Sequence, residues 1–349
     1  MNEQPNWRSA AERTQTRIET LRADGRAPVV NQHVVSRVLL KRFAAHAGSA
    51  GHQVYSFDLD RPTNRHRTRS IKTCGTVPDF VPFASASLEE VWSRVENLLP
   101  AAADAVERGD IFEHEEYVLV LKDFIALHWA RSLHYRALHD QIFAALYERQ
   151  RTKLLTVHAD LLRADYLKHS GEHVADPQTL AMWAEDLMRT VRDDELSGYN
   201  LRIGIEEMFH KTRAAIRESC LEILIPASGQ FLIGDTPALT VRRDGSTLTY
   251  CMALGDSNAI VLPLGPHHLL VGRSPHDVLA PIPTTMVNEL NGLQIEAARS
   301  RVYLHPGSGL ERFVLAHLAA GGRAGRTPVP PPRRPAADTP AARPSDPAP

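Results

Sequence analysis

Apolar side chains recur at helical spacing through one long stretch that contains neither Gly nor Pro, Asp110 to Ser170. Its middle reads EEYVLVLKDFIALHWARSLHYRALHDQIFAALYERQ. Tyr117, Leu121, Phe124 and Ile125, then Ile142, Phe143 and Leu146, are spaced for one buried stripe. The pattern predicts a helix of roughly 40 residues, on the order of 60 Å long, crossing a whole domain. His128 and Arg131 fall inside that stripe, four and seven residues after Phe124, with Tyr135 one turn further on. A guanidinium on a core-facing stripe is costly to bury without a partner, so this pair is the best internal sign of a site.

Before that stretch, NQHVVSRVLLKRFA (31–44) predicts a helix capped by Asn31, with Val35, Val38, Leu39 and Phe43 facing inward. In GHQVYSFDLD, Tyr55, Phe57 and Leu59 alternate as in a half-buried strand. Residues 61–72 form a loop holding the one dense basic cluster: Arg61, Arg65, Arg67, Arg69 and Lys72. Phosphate contacts need such residues, and a solvated charge run between elements looks the same. Ser87 and Glu90 make a capping box for a helix that Pro100 kinks or ends. Further helices are predicted at Pro177–Arg192, capped by Asp176, and at Gly204–Cys220.

The period then changes from 3.6 to 2. LEILIPA, QFLIGD, ALTVRR, STLTYCM, AIVLPLG and HHLLVG are short β-type runs, and Arg243-Asp244-Gly245-Ser246 is a hairpin turn. A last helix, Thr284 to Arg299, precedes the strand RVYLH. The strands lack crossover helices, which predicts an antiparallel sheet. The fold class expected is α+β, with long central helices packed on a mainly antiparallel sheet formed largely by the C-terminal half. The early strand near Tyr55 is expected to join the later sheet. The divisions read as a polar N-terminal extension (1–28), a single α+β domain (29–320) and a disordered Pro-rich tail (321–349) with too few apolar groups to offset ordering entropy.

Charge and cysteine narrow the class. Lys+Arg 40 against Asp+Glu 41 gives no overall field for nucleic acid or membrane, so basic recognition has to be local. Cys74, Cys220 and Cys251 are odd in number, far apart and without CxxC, which fits a reducing, intracellular setting. The N-terminus has no apolar signal region, and no window is long and apolar enough to span a membrane. A cytoplasmic protein with no membrane partner is expected.

Most standard machinery is missing. There is no Walker loop, GxGxxG or GxSxG, and His114-Glu115 begins an HExxH that Val118 breaks. His128, His134 and His139 are spaced onto different sides of a helix, so they cannot share one ion, and metal and cofactor stay unknown. Three other places survive. His33 can act as acid, base or ligand, or take a capping role. Asp235, before Thr236-Pro237, is catalytic or closes its own turn. Asn291, on the last helix among apolar neighbours, needs hydrogen-bond partners.

Taken in order, NQHVVSRVLLKRFA, VYSFDLD, DFIALHWARS, FLIGDTPALTV, LPLGP and ELNGLQIEAARSRVY resemble the prokaryotic family called "domain of unknown function 4238". Its members read like HYVPxFYLxxF, FIAxQxxRTP and TSDxPV, with a late helix carrying Asn. The resemblance spans roughly Asn31 to Pro306 and puts His33, Arg131, Asp235, Pro237 and Asn291 on motif positions. His128 stands for the usual Gln, Ser132-Leu133 for Thr-Pro, and Ile233-Gly234 for Thr-Ser. No reaction is implied. Some members are associated with defence against phage, which implies an intracellular effector or sensor.

The expectation is an enzyme-like domain with hydrolase or nuclease-like action on a phosphate-containing ligand, with nucleotide or nucleic acid as partner. His33 would supply acid–base chemistry, Asp235 would hold a metal or orient His33, and Arg131 would hold an anionic oxygen. His128, Asn291, Arg65, Arg67 and Arg69 would bind the substrate. The alternative is a non-enzymatic binding or regulatory protein in which the same residues are structural.

Overall fold

The computed structural model describes residues 16, 18–21, 23, 29–63, 67–81, 85–174, 176–244, 247–250 and 253–321. The chain begins with β1 (Asn31–His33), α1 (Arg37–Arg42), β2 (Ala45–His46), β3 (His52–Asp58), β4 (Arg67–Ser70) and β5 (Thr76–Pro78). Helices follow: α2 (Ser85–Glu96), α3 (Leu99–Arg108), α4 (Glu115–Ala130), α5 (Leu133–Leu155), α6 (Ala159–Ser170), α7 (Pro177–Leu187), α8 (Arg189–Leu196) and α9 (Tyr199–Arg217). The C-terminal part holds β6 (Cys220–Pro226), β7 (Ile233–Gly234), β8 (Leu239–Asp244), β9 (Thr247–Tyr250), β10 (Ala259–Gly265), β11 (His268–Ser274) and β12 (Val278–Ile282). It closes with α10 (Thr284–Ala297), β13 (Arg301–Leu304) and α11 (Glu311–Ala319). This is an α+β fold with mainly antiparallel sheets.

The long breaker-free stretch is not one helix. It divides at Arg131-Ser132: Ser132 takes extended backbone (φ −80°, ψ 149°) and its hydroxyl accepts from Tyr135 N–H at 3.0 Å, capping α5. The two halves differ in burial. Leu121, Phe124, Ile125, Ala126 and Leu127 on α4 are fully buried, whereas Ile142 and Leu146 on α5 are half exposed, contrary to the single buried stripe. A helix apolar on every side belongs in a core, and α4 packs against α9, α3, α2 and the sheet. Asp123 is the polar tie: its carboxylate accepts from Arg213 Nε (2.9 Å) and from Arg217 Nε and Nη2 (2.8 and 2.7 Å) on α9.

The larger sheet has six strands in the order β12-β6-β11-β10-β8-β9, antiparallel except where β12 joins β6 in parallel. Both faces are covered, which accounts for the nearly continuous apolar runs. Leu270 and Ile223 belong with α4, while Leu269, Val271 and Leu224 lie with Val287, Leu290 and Leu293 of α10. Gly272 of β11 permits the close approach: a Cβ there would stand 3.2 Å from Ile216 and 3.3 Å from Ile125. The turn at Arg243 is a hairpin, with Asp244 opposite Thr247; Gly245 and Ser246 lie outside the described residues.

The early strand does join later ones, in a separate sheet. β3 pairs with β13, which pairs with β7, while β2 and β4 also pair with β3. β1 and β5 make a third, two-stranded sheet with His33 opposite Thr76. Three starts are corrected. Asn31 lies in β1, and the helix after it is capped by the Ser36 hydroxyl, which accepts from Leu39 N–H at 3.3 Å. Ser87 lies inside α2, two residues past its start, and α9 begins at Tyr199, before Gly204. Asp176 caps α7 as expected, accepting from Thr179 N–H at 2.9 Å. Most of the expected N-terminal extension and the tail beyond Gly321 lie outside the described residues; Ile18 packs on Tyr199 and Ile203.

Candidate functional site

The charge of Arg131, at the C-terminal end of α4, acts on His33 of β1, 98 residues earlier in sequence, and His128 links the two segments by facing both Ser36 N–H and Arg131 Nη2. The segment after His33 is held from several sides. Gln32 donates through Nε2 to Val81 O at 2.7 Å and accepts from Val81 N–H, and Gly75 O accepts from Val34 and Val35 N–H at 2.8 and 3.2 Å. Gly75 sits at φ +66°, and an added Cβ would lie 2.8 Å from Val35 O, so this position requires glycine. Ser36 N–H then points at His128 Nε2, at 3.4 Å.

His128 is fully buried, and its ring is fixed by chemistry. Nδ1 donates to Phe124 O at 3.1 Å, while Nε2 faces two donors, Ser36 N–H and Arg131 Nη2 at 3.0 Å. Only the neutral tautomer with its proton on Nδ1 can accept at Nε2. Burial first, and the Arg131 charge second, hold its pKa well below the usual imidazole range.

Arg131 is 1 % exposed. Its Nη2 lies 2.6 Å from Glu96 Oε1 in an ion pair, and its guanidinium carbon sits 5.0 Å from the centre of the Trp92 ring. Its Nε is buried and has no hydrogen-bond partner. Glu89, Trp92 and Glu96 are spaced i, i+3, i+7 on α2 and so share one face of that helix.

His33 Nε2 and Glu89 Oε1 are likewise buried without a hydrogen-bond partner. Burial, then Arg37, then Arg131, lowers the His33 pKa to about 4, so the ring is neutral at pH 7. Glu89 is displaced in the other direction, to about 7: burial raises it most, Arg131 and Arg37 oppose, and Glu96 adds to the rise. Arg37 is exposed, His33 and Glu89 are half-buried and Arg131 is buried, so the cluster runs from solvent to interior. Glu89, Glu96, Trp92 and Arg37 were not singled out from the sequence. Their signal was two acids on the core-facing side of LEEVWSRVE and a cation directly after the α1 cap.

Asp235 occupies a different, closed environment. Its Oδ1 accepts from Arg299 N–H at 2.6 Å, and its Oδ2 accepts from Ser300 N–H, Ser300 Oγ and Arg301 N–H at 2.8, 3.0 and 3.0 Å. Burial raises its carboxyl pKa and these four bonds pull it back. None of its bonds goes to His33, so the expected orienting contact is absent from its partners. Asn291 also works inside the scaffold, accepting from Leu232 N–H and donating to Gln230 O, both at 2.9 Å. Neighbouring Gln294, which sequence reading passed over, accepts from Gly234 N–H and donates to Pro237 O.

Arg67 and Arg69 are exposed on β4, and Arg65 lies outside the described residues. Arg69 acts on buried Cys74; neither arginine is among the charges acting on His33 or Glu89. Among the described residues no group of three or more His, Cys, Asp or Glu side chains could hold a metal ion, and no helix is long and apolar enough to cross a membrane.

Residues 31–308 match the family described as "Protein of unknown function (DUF4238)", and the chain belongs to that family. No curated protein and no solved structure matches it.

Proposed function

From membership of a family that names no reaction, we propose that this protein is an acid–base enzyme of the hydrolase class, acting on a phosphate ester of nucleotide size. The observation that carries this reading is the set of three buried polar atoms without partners, His33 Nε2, Glu89 Oε1 and Arg131 Nε, on three separate elements. Orphaned buried polar atoms cost on the order of 1–3 kcal/mol each, and a bound anion with its water would satisfy all three at once. An oxyanion suits the two guanidiniums, Arg37 at the exposed side and Arg131 within.

The acid–base role expected of His33 is assigned instead to Glu89, whose pKa of about 7 matches a working pH near neutrality. Glu89 would take a proton from the attacking water and return it to the leaving alkoxide as the P–O bond breaks. Neutral His33 would hydrogen-bond the ester or the water. A nucleotide is favoured over a polynucleotide because the exposed basic strand β4 does not act electrostatically on this cluster. The defence association implied by the family resemblance makes nucleotides the first class to assay.

The test is phosphate release from nucleoside mono- and triphosphates, simple monoesters and diesters. The wild type should turn over at least one class. Glu89→Gln and His33→Ala should each lose on the order of a hundredfold or more without any fall in melting temperature. No release from any substrate counts against the reading. That result would favour a non-enzymatic binding or regulatory protein, which the saturated Asp235 and the closed His128–Arg131–Glu96 contact support.

A further inference from the structure

We propose that an oxyanion bound in this cluster brings one proton with it from solvent, and that Glu89 is the group that takes it. The proposal rests on the same site as the proposed function, but it concerns binding and not turnover.

The argument is a charge count in a poorly solvated place. Two cations face the cluster, Arg37 from α1 and Arg131 from the end of α4. Two carboxylates face it from one side of α2, Glu89 and Glu96. The two imidazoles, His33 and His128, are neutral. With both carboxylates ionised the set is balanced, and a dianion added to it leaves two uncompensated negative charges. Uncompensated charge away from water is expensive, and the usual escape is protonation of one member.

The geometry selects which member. Glu96 Oε1 lies 2.6 Å from Arg131 Nη2, so protonating it would break an ion pair. Glu89 Oε1 is buried and has no partner, so a proton there breaks nothing and creates the donor that an anionic oxygen needs. Like-charge crowding of two carboxylates on one helical face favours the same outcome, and the pKa of Glu89 already lies near 7. No covalent bond changes; the proton moves from bulk solvent to Oε1.

Inorganic sulfate is the probe, because its own charge is constant through neutral pH and any proton taken up belongs to the protein. Titration calorimetry of the full chain at pH 8, in two buffers of different ionisation enthalpy, should report uptake of about one proton per sulfate. Affinity should be flat below pH 7 and fall about tenfold per pH unit above it. Glu89→Gln should bind sulfate with no uptake and no pH dependence between 6 and about 8.5. His33→Ala should keep the uptake. The proposal is overturned if sulfate does not bind, if it binds without proton exchange, or if Glu89→Gln retains the uptake. Ester turnover without uptake would sink this proposal alone, whereas uptake without turnover of any ester would sink the hydrolase reading and leave the anion site.

Discussion

Two buried polar regions of this protein look alike in sequence and differ in completeness. Around Asp235 both carboxylate oxygens are taken, by three backbone N–H groups and one hydroxyl from residues 299–301. Around Arg131, at least three buried polar atoms have no partner. Buried charge by itself therefore does not mark a site. The saturated region closes a turn, and the unsaturated one is left with bonds to give. The two adjoin: Ala297 O accepts from His134, three residues past Arg131, and from the Thr236 hydroxyl beside Asp235. On the other side, Tyr303 OH accepts from Gly75 N–H, whose carbonyl holds Val34 and Val35. The closed region braces the open one.

The largest expected effect breaks the closed region. Asp235→Ala orphans three backbone N–H groups and should cost on the order of 3–5 kcal/mol in urea unfolding, or prevent folding. Asp235→Asn should cost less, because one oxygen survives while the new amide faces the Arg299 N–H or the Ser300 donors. A folded, fully stable Asp235→Ala protein lacking all activity would reverse the comparison and return Asp235 to the site.

Arg131 stands between the two kinds. Arg131→Ala leaves Glu96 without its cation, uncovers the Trp92 ring and removes a donor from His128, so about 2–4 kcal/mol should be lost. A stability loss there says nothing about catalysis. Arg131→Lys is the sharper variant, since it keeps the charge but has no Nε–H to give a ligand. It should recover more than half of the lost stability and leave sulfate binding at least about tenfold weaker than in the wild type. Recovery of both stability and binding would assign Arg131 to the scaffold.

Particular residues show how much of this was legible beforehand. The change of period after Leu221 gave the C-terminal strands and their antiparallel pairing, because side-chain alternation is a local property. It missed β12, whose partner β6 lies 56 residues away, Val278 opposite Glu222, and runs parallel. The break at Ser132 was readable in principle. Ser is a preferred capping residue, and the Ser132 hydroxyl does accept from Tyr135 N–H at the start of α5. Apolar spacing runs straight across it and makes α5 read as core, although Ile142 and Leu146 are half exposed. In the site, His33, His128 and Arg131 stood out because polar groups interrupt apolar patterns. Glu89 did not, because an acid in LEEVWSRVE resembles any solvated helix face. Only tertiary packing sets it beside Arg131, and only the bonding around Asp235 tells its carboxylate from a catalytic one.

The smallest effects compare the two titrating members of the open region. His33, with its pKa lowered from 6.5 to about 4, binds fewer protons folded than unfolded, so its contribution is lost as pH falls from 6.5 through 4. His33→Ala should therefore lose less stability on acidification than the wild type. Parallel urea midpoints down to pH 4 would place His33 in water.

Glu89 has the opposite sign. Its pKa, raised from 4.5 to about 7, makes the folded state the better proton binder, so its contribution is complete below pH 4.5 and is lost as pH rises through 7. Glu89→Gln cannot ionise and escapes that loss. The two proteins should unfold alike at pH 4.5 and diverge up to pH 7, with the variant more stable by about 1 kcal/mol and the gap constant above. The full shift would give more, but Glu89 is only half-buried and solvent screens its charge. Other titrations cancel in the difference, so the curve isolates this one group. A gap of the reverse sign would mean that Glu89 is paired and ionised, and the region would then be closed like its neighbour at Asp235.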